Sequence, residues 1–410
     1  MADEAGTYID LFAGCGGLSL GLVNAGWKGV FAIEKSKDAF ATLKHNLVDR
    51  GHYAWPSWLP QQEHGIEELL SKHKSELKAL SGSVDLIAGG PPCQGFSPAG
   101  RRNPDDPRNK MAEHYVEVVK LVKPKYLLLE NVKGFNSPFE KEKGKGAIPY
   151  SQIVKQRLES LGYRVFFEVI KSSQWGVPQL RPRFILIAIR EDIFQEAPID
   201  PFEELHRSRP DFLQRKGLSS TKPITVREAI SDLEHKGKTL VDATDSPIKG
   251  FKQVSYKQPK HLNNYLALMR DGVSEVDSPC GLRIPRHSEV VVERFKRILK
   301  ECPKGTSLSK ERREAYGTKK HALTPLDGES PSATVTTLPD DILHYSEPRI
   351  LTVREMARLQ SFPDYYAFKG PYTTGGALRK QSCPKYTQVG NAVPPLLGEA
   401  LGTMLQAIAR

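Results

Sequence analysis

The sequence predicts an α/β fold with a mostly parallel sheet, interrupted by a smaller basic region inserted before a C-terminal helix. Three observations lead there. In the first half, short apolar runs alternate with helix-like stretches, the pattern that builds parallel sheets. The first apolar run ends in a glycine-rich turn that opens a helix. From about Arg190 this alternation dissolves into polar, basic pieces, and order returns only near residue 350.

Taken in order, residues 8–12 read as a strand and residues 18–22 open a helix after the glycines. Residues 30–34 form a second strand and residues 84–88 another. A helix-like stretch over 112–121 precedes the apolar run 126–130, and residues 164–170 with 184–189 read as a later hairpin. In sheets of this kind ligands bind beyond the carboxyl ends of the strands, where Glu34, Cys93 and Glu130 fall. Within the basic region the clearest element is a helix over 289–300, with Val290, Val291, Phe295 and Ile298 as its apolar face. Residues 350–360 and a helix over 395–408 follow. That last helix is expected to return to the first domain. The domain reading is therefore 1–192 completed by 384–410, with 193–383 forming a smaller domain that contains the hinge.

The chain has 410 residues, of which 26% are charged and 39% hydrophobic, enough for a sizeable core. No apolar run approaches a membrane span, and Met1-Ala2-Asp3-Glu4 lacks the basic and apolar regions of a signal peptide. A cytoplasmic protein that does not enter membranes is expected. Five cysteines, odd in number and without CxxC spacing, offer neither a disulfide framework nor a zinc site, so no metal is expected. Cys15, Cys280, Cys302 and Cys383 read as packing or structural residues. The net charge is +11, and residues 206–320 hold all of it, with 25 Lys+Arg against 14 Asp+Glu. The rest balances at 34 against 34. Surplus charge gathered in one block points to a polyanion such as nucleic acid.

Two segments carry the chemistry. Asp10-Leu11-Phe12-Ala13-Gly14-Cys15-Gly16-Gly17 runs from a strand through a glycine turn into a helix, so the backbone can approach a ligand closely. The spacing is not GxGxxG, and Glu34 at the end of the next strand can accept both hydroxyls of a ribose. Gly89-Gly90-Pro91-Pro92-Cys93-Gln94-Gly95-Phe96-Ser97 places one thiol in a glycine/proline loop straight after a strand, well placed for a nucleophile.

With Glu130-Asn131-Val132, Gln179-Leu180-Arg181-Pro182-Arg183, the stretch 349–355 and Gly390-Asn391-Ala392-Val393-Pro394, these segments resemble the ordered motifs of the DNA cytosine-5 methyltransferase family, bacterial type. The resemblance covers roughly residues 7–192 and 330–408. It implies a Rossmann-like methyltransferase domain that uses S-adenosylmethionine, leaves S-adenosylhomocysteine and needs no metal. It implies Cys93 as the nucleophile that adds to carbon 6 of a flipped cytosine, and Glu130 bonding the ring's N3 and amino group. Arg183 is implied at the base carbonyl, and Arg181 as helping to hold Cys93 and the base. Phe12, Gly14, Gly16, Leu18, Glu34, Pro91, Met111, Asn391 and Ala392 are implied as cofactor contacts. Lys35 stands where the family often has Trp, and Gly65-Ile66 where it often has Asp-Ile.

Double-stranded DNA is the implied partner, bound by a protein that is monomeric by default and associated with a restriction or phage-defence system. Gln94, Ser97, Arg101, Gln179, Lys257 and Lys260 are its expected contacts, the last two from the polar stretch 256–264. Three alternatives stay open: a transfer-RNA cytosine-5 methyltransferase, an inert DNA-binding module, and a dinucleotide oxidoreductase, which the glycine spacing disfavours.

Overall fold

The computed structural model describes residues 6–92, 110–138, 148–196, 198–318, 320, 322–373 and 382–409. The chain forms two compact units. The first comprises Met1–Lys171, Pro182–Arg209 and Leu397–Arg410; the second comprises Ser172–Arg181 and Pro210–Leu396. Among the described residues no helix is long and apolar enough to cross a membrane.

The first unit is built as β1 (Thr7–Leu11), α1 (Gly17–Asn24), β2 (Lys28–Ile33), α2 (Lys37–Leu43), α3 (Ile66–Lys72), α4 (Lys74–Ala79), β3 (Leu86–Gly89), α5 (Met111–Val122), β4 (Tyr126–Val132), α6 (Tyr150–Ser160), β5 (Tyr163–Lys171) and β6 (Pro182–Arg190). These six strands make one sheet in the order β2-β1-β3-β4-β6-β5. The first four run parallel, and β6 runs antiparallel to both neighbours. The chain leaves β1 toward β2 and returns to its other side at β3. The order therefore reverses between β1 and β3, and a crevice opens at their carboxyl ends.

Core packing follows from the apolar runs. Ile9, Leu11, Ile87, Leu127, Leu129, Phe184 and Leu186 lie in one buried cluster with Tyr115, Val118, Val119 and Val122 of α5. α5 stops at Lys123, which takes a left-handed conformation (φ +48°) ahead of Pro124. The C-terminal helix Pro395–Ile408 reaches α1 through two glycines one turn apart. A Cβ on Gly398 would stand 3.3 Å from the Leu18 carbonyl oxygen, and one on Gly402 would stand 2.9 Å from the Ala25 Cβ. The close approach is latched by Trp27, whose Nε1 donates to the Gly402 carbonyl at 2.9 Å.

The second unit has little sheet. β7 (Leu240–Asp242) and β8 (Lys252–Val254) form a short antiparallel hairpin. The helix Glu289–Glu301 packs Phe295 and Ile298, with Val291 and Leu299, against Leu308, Leu323, Leu343 and Ile350. Val290, expected on that apolar face, is instead 71% exposed. Positions 295, 298 and 302, buried, and 291, half-buried, follow one stripe, and residue 290 sits about 100° away from it.

The helix Val353–Leu359 is buried all round although it carries two arginines, and a capping box between Thr352 and Glu355 opens it. Buried charge is tolerable only when paired, and here it is. Arg358 contacts Asp232 at 2.6 Å and Asp364 at 2.8 Å. Arg349 contacts Glu355 at 2.7 Å and Glu347 at 2.6 Å.

Beside this network His344 is fully buried and stacked on Tyr345, with ring centroids 4.5 Å apart. Its Nδ1 accepts the backbone N–H of Ser346 at 3.2 Å and of Glu347 at 3.1 Å. Burial pushes its pKa down to about 4, against the pull of the neighbouring Glu355. The unfolded chain therefore takes up this proton first as the pH drops below about 6.5. Stability from neutral His344 is complete above that value and is lost toward pH 4, by up to ~1.4 kcal/mol per pH unit. In urea melts between pH 7 and 4.5, His344→Asn is expected to show a shallower decline of midpoint than the parent protein. Equal slopes would remove His344 as the cause.

Candidate active site

The glycine turn after β1 sits on the β1 side of the crevice. Phe12 and Gly14 both take left-handed backbone (φ +62° and +57°), and Gly16 (φ +87°) caps α1. A phenylalanine held in that region is strained, the kind of cost that gathers at functional loops. Leu18 is buried inside α1. Glu34 follows β2 directly. Its Oε2 accepts the Gly14 N–H at 2.9 Å and its Oε1 accepts the Ser36 N–H at 2.7 Å. Each oxygen keeps a second lone pair, so the carboxylate is oriented without being saturated. Burial raises its pKa, and the bonds from Ser36, Gly14 and Lys35 oppose the rise. The His64 N–H donates to the Glu34 carbonyl at 2.9 Å, which brings Gly65-Ile66 to the same strand end.

Beneath this turn lies a polar network that the motif pattern does not reveal. Asp10 is 1% exposed; its Oδ2 accepts from the Ser19 hydroxyl, while Oδ1 has no partner among the described residues. Ser19 Oγ lies 2.7 Å from the Tyr53 hydroxyl, which also accepts from Tyr8 at 3.0 Å. The Asp10–Ser19 bond ties the end of β1 to the first turn of α1 across the loop. Burial pushes the Asp10 carboxyl up to about 7, with Ser19 opposing and Glu34 adding to the rise.

On the other side of the crevice, β3 ends at Gly89 and continues into Gly90-Pro91-Pro92. A Cβ on Gly89 would stand 2.6 Å from the Leu11 carbonyl oxygen, and one on Gly90 would stand 3.2 Å from Glu130 Oε2. At Gly89 only glycine lets the segment pass so close to the β1 backbone, and Gly90 then brings it up against the Glu130 carboxyl group. Asn131 Nδ2 donates to the Pro91 carbonyl at 3.1 Å and anchors the start of the loop. Glu130 and Val132 share a face of β4 because side chains alternate along a strand. Arg183 of β6 pairs with Val132 in the register, so it comes up on that face too. Arg183 Nε contacts Glu130 Oε1 at 2.6 Å, with both side chains about one-tenth exposed. Arg183 Nη1 donates to the Pro182 carbonyl at 2.8 Å. Among the described residues Nη2 makes no bond, leaving one edge of the guanidinium for a further acceptor.

Gln179 and Arg181 belong to the second unit, and their side chains are spent on its interior. Gln179 is 0% exposed; its Nε2 donates to Gln360 Oε1 at 2.8 Å and to the Leu359 carbonyl at 3.1 Å, while its Oε1 accepts the Val335 N–H at 2.8 Å. This amide is a scaffold group with no surface to offer DNA. Arg181 donates to the carbonyls of Val335, Gly390 and Ala392 at 2.9, 2.9 and 3.0 Å. Its guanidinium thereby gathers three backbone oxygens of the second unit. Close packing adds to that constraint, since a Cβ on Gly390 would stand 2.2 Å from the Thr336 carbonyl oxygen.

Asn391 is exposed at the end of the helix Lys385–Asn391, and Ala392 caps it. Lys257 and Lys260 are exposed in the second unit, and Met111 begins α5 as a half-buried neighbour of the core. Cys93, Gln94, Ser97 and Arg101 lie outside the described residues.

A mostly parallel sheet closed by an antiparallel hairpin, with a glycine turn after one strand and an acid after the next, is the architecture of Rossmann-like methyltransferases. The sequence model of the C-5 cytosine-specific DNA methylase family matches residues 6–407, and the chain belongs to that family. Among its relatives is the type II methyltransferase M.DdeI of Desulfomicrobium norvegicum, 32% identical over 96% of this chain and 86% of the relative. The type II methyltransferase M.XorII of Xanthomonas oryzae is 30% identical over 98% and 85%. The fold matches the crystal structure of a prophage-encoded protein from E. coli described as a DNA modification methyltransferase, with a TM-score of 0.68, 22% identity and 99% coverage of each chain.

Proposed function

We propose that this protein methylates carbon 5 of a cytosine flipped out of a specific duplex DNA site, with Cys93 as nucleophile and S-adenosylmethionine as methyl donor. The observation that carries the reading is the Glu130–Arg183 contact of 2.6 Å beside the Gly90-Pro91 segment that leads into Cys93. A carboxylate and a guanidinium fixed side by side match the polar edge of a cytosine. The carboxyl group faces the amino group and N3, and the free guanidinium edge faces the carbonyl oxygen.

Carbon 5 of cytosine is a poor nucleophile while the ring is aromatic. Addition of the Cys93 thiolate at carbon 6 forms a carbon–sulfur bond and makes carbon 5 enamine-like. Glu130 supports the proton held at N3 as charge develops, and Arg183 holds the ring against rotation. Once carbon 5 has bonded to the methyl group that a bound S-adenosylmethionine would supply, with S-adenosylhomocysteine as the leaving group, loss of the carbon 5 proton to solvent and expulsion of the Cys93 sulfur restore the ring. The base must leave the helix for this, because no side chain reaches carbon 6 in a stacked duplex.

The cofactor reading rests on fit. A Cβ built on Gly14 meets nothing within 4 Å, so there is space beside the strained turn. Glu34 stands ready with oriented oxygens for two ribose hydroxyls, and Phe12 belongs to the same turn as Gly14, whose N–H the carboxylate accepts. S-adenosylmethionine bound there would supply an electrophilic methyl group. The type II names of the relatives favour a role in restriction–modification, which would place the protein in the bacterial cytoplasm with DNA as its partner. Incubation with mixed-sequence DNA and S-adenosylmethionine, followed by bisulfite sequencing, is expected to show 5-methylcytosine at one recurring site. Unmodified DNA alongside modified transfer RNA would move the assignment to RNA.

A further inference from the structure

Resting on the reading that duplex DNA is the substrate, we propose that Arg286 is a DNA-contacting residue whose guanidinium is held with its edge outward by a stack of alternating cations and rings in the second unit. The Arg286 guanidinium carbon lies 3.9 Å from the Phe251 ring centroid, and that of Arg283 lies 4.0 Å from the same centroid. Two guanidinium groups so near one ring must occupy its opposite faces. Arg283 also lies 3.7 Å from the Tyr372 centroid, where Lys385 Nζ stands at 4.3 Å. The stack therefore runs Arg286, Phe251, Arg283, Tyr372, Lys385, drawing on residues more than 130 positions apart.

Asp245 binds the inner end. It accepts from the Tyr372 hydroxyl at 2.5 Å and from Lys385 Nζ at 3.0 Å. One carboxylate thus faces three cations, and the imbalance grows toward the outer end. Arg283, only 7% exposed, has its pKa lowered by burial, and the charge of Arg286 adds to the effect. Arg286 itself is exposed and has no hydrogen bond or carboxylate partner among the described residues. Gly250 (φ +82°) makes the turn that carries Phe251 under it, and a Cβ there would stand 3.8 Å from Arg286 Nη1.

A surface arginine normally loses much rotamer freedom when it binds. Stacking on Phe251 has already removed that freedom while leaving the planar N–H fork exposed. Such a fork suits two acceptors in one plane, as in a phosphate group or the O6/N7 edge of guanine. The surrounding block, with 25 basic against 14 acidic residues over 206–320, gives the field that would draw a polyanion to it.

The test uses full-length protein and the variants Arg286→Ala, Arg286→Lys and Phe251→Leu, each checked for an unchanged melting profile. Binding of a fluorescein-labelled duplex is followed by anisotropy across a salt series, and methylated mixed-sequence DNA is read by bisulfite sequencing. Arg286→Ala is expected to weaken binding about tenfold. Arg286→Lys should restore only part, having charge but no planar fork. Phe251→Leu should lose affinity although Arg286 is intact. If phosphate is the contact, the salt slope falls by about one and the methylated site is unchanged. If guanine is the contact, the slope is kept and selectivity relaxes at one position. Wild-type affinity, slope and site choice in Arg286→Ala overturn the proposal. Binding reads it separately from chemistry: duplex affinity that depends on Arg286 in a protein that methylates no DNA would refute the proposed function and leave this contact standing.

Discussion

Replacing Cys93 by serine is expected to lower methyl transfer at least ~10⁴-fold while leaving duplex binding nearly unchanged. A thiol with pKa ~8.5 is already a few per cent thiolate at neutral pH and is intrinsically nucleophilic, whereas a serine hydroxyl stays protonated. Oxygen and sulfur differ little in size, so the variant should still hold DNA. The measurement is single-turnover transfer of labelled methyl groups, run beside a binding titration of the same preparation. Turnover within tenfold of the parent protein would sink the covalent mechanism and with it the assignment of Cys93.

The second large effect is expected at the Glu130–Arg183 pair. Glu130→Gln keeps the shape but cannot support a proton at N3, and should cost ~10²–10⁴ in the transfer rate. Arg183→Ala should lose a similar factor. It also strands Glu130 in a site where both side chains are about one-tenth exposed, at ~3 kcal/mol of stability. Arg183→Lys should rescue stability better than rate, because an ammonium cannot hold Glu130 with one edge and offer a second edge to the base. Since the two side chains act on one ring, the double variant should be little slower than either single one. Losses that multiply in the double variant would show that they act independently.

Much of the first unit was legible because local pattern and tertiary role coincide there. The run 126–130 is apolar at every position but the last, as a central strand covered on both faces must be. The structure makes it β4, with Glu130 near its end. The hairpin of β5 and β6 was equally visible from its two apolar runs. The Gln179–Arg183 motif shows the limit of such reading. Its spacing is plain in the sequence, yet Arg183 faces Glu130 in the first unit while Gln179 and Arg181 serve the interior of the second. Their partners Val335, Gly390 and Ala392 lie more than 150 positions away.

The network under the glycine turn was hidden for the same reason. Tyr53 carries no local signal, and only the folded chain sets its hydroxyl against Ser19 and Tyr8. The second unit was the least readable, having little periodic structure to follow. Its centre is a set of paired charges, and a buried Arg358 between two aspartates looks in sequence like any surface arginine.

By itself the sequence determined the order of the six strands of the first unit, the family, and where the excess charge lies, because each is written in local periodicity, ordered motifs or a count of side chains. The tertiary structure alone decided which charged groups meet. It set Arg183 on Glu130, spent Arg181 on three carbonyls, and stacked Arg286 on Phe251. Contacts between distant residues depend on how strands pair and loops pack, and no local pattern encodes that geometry.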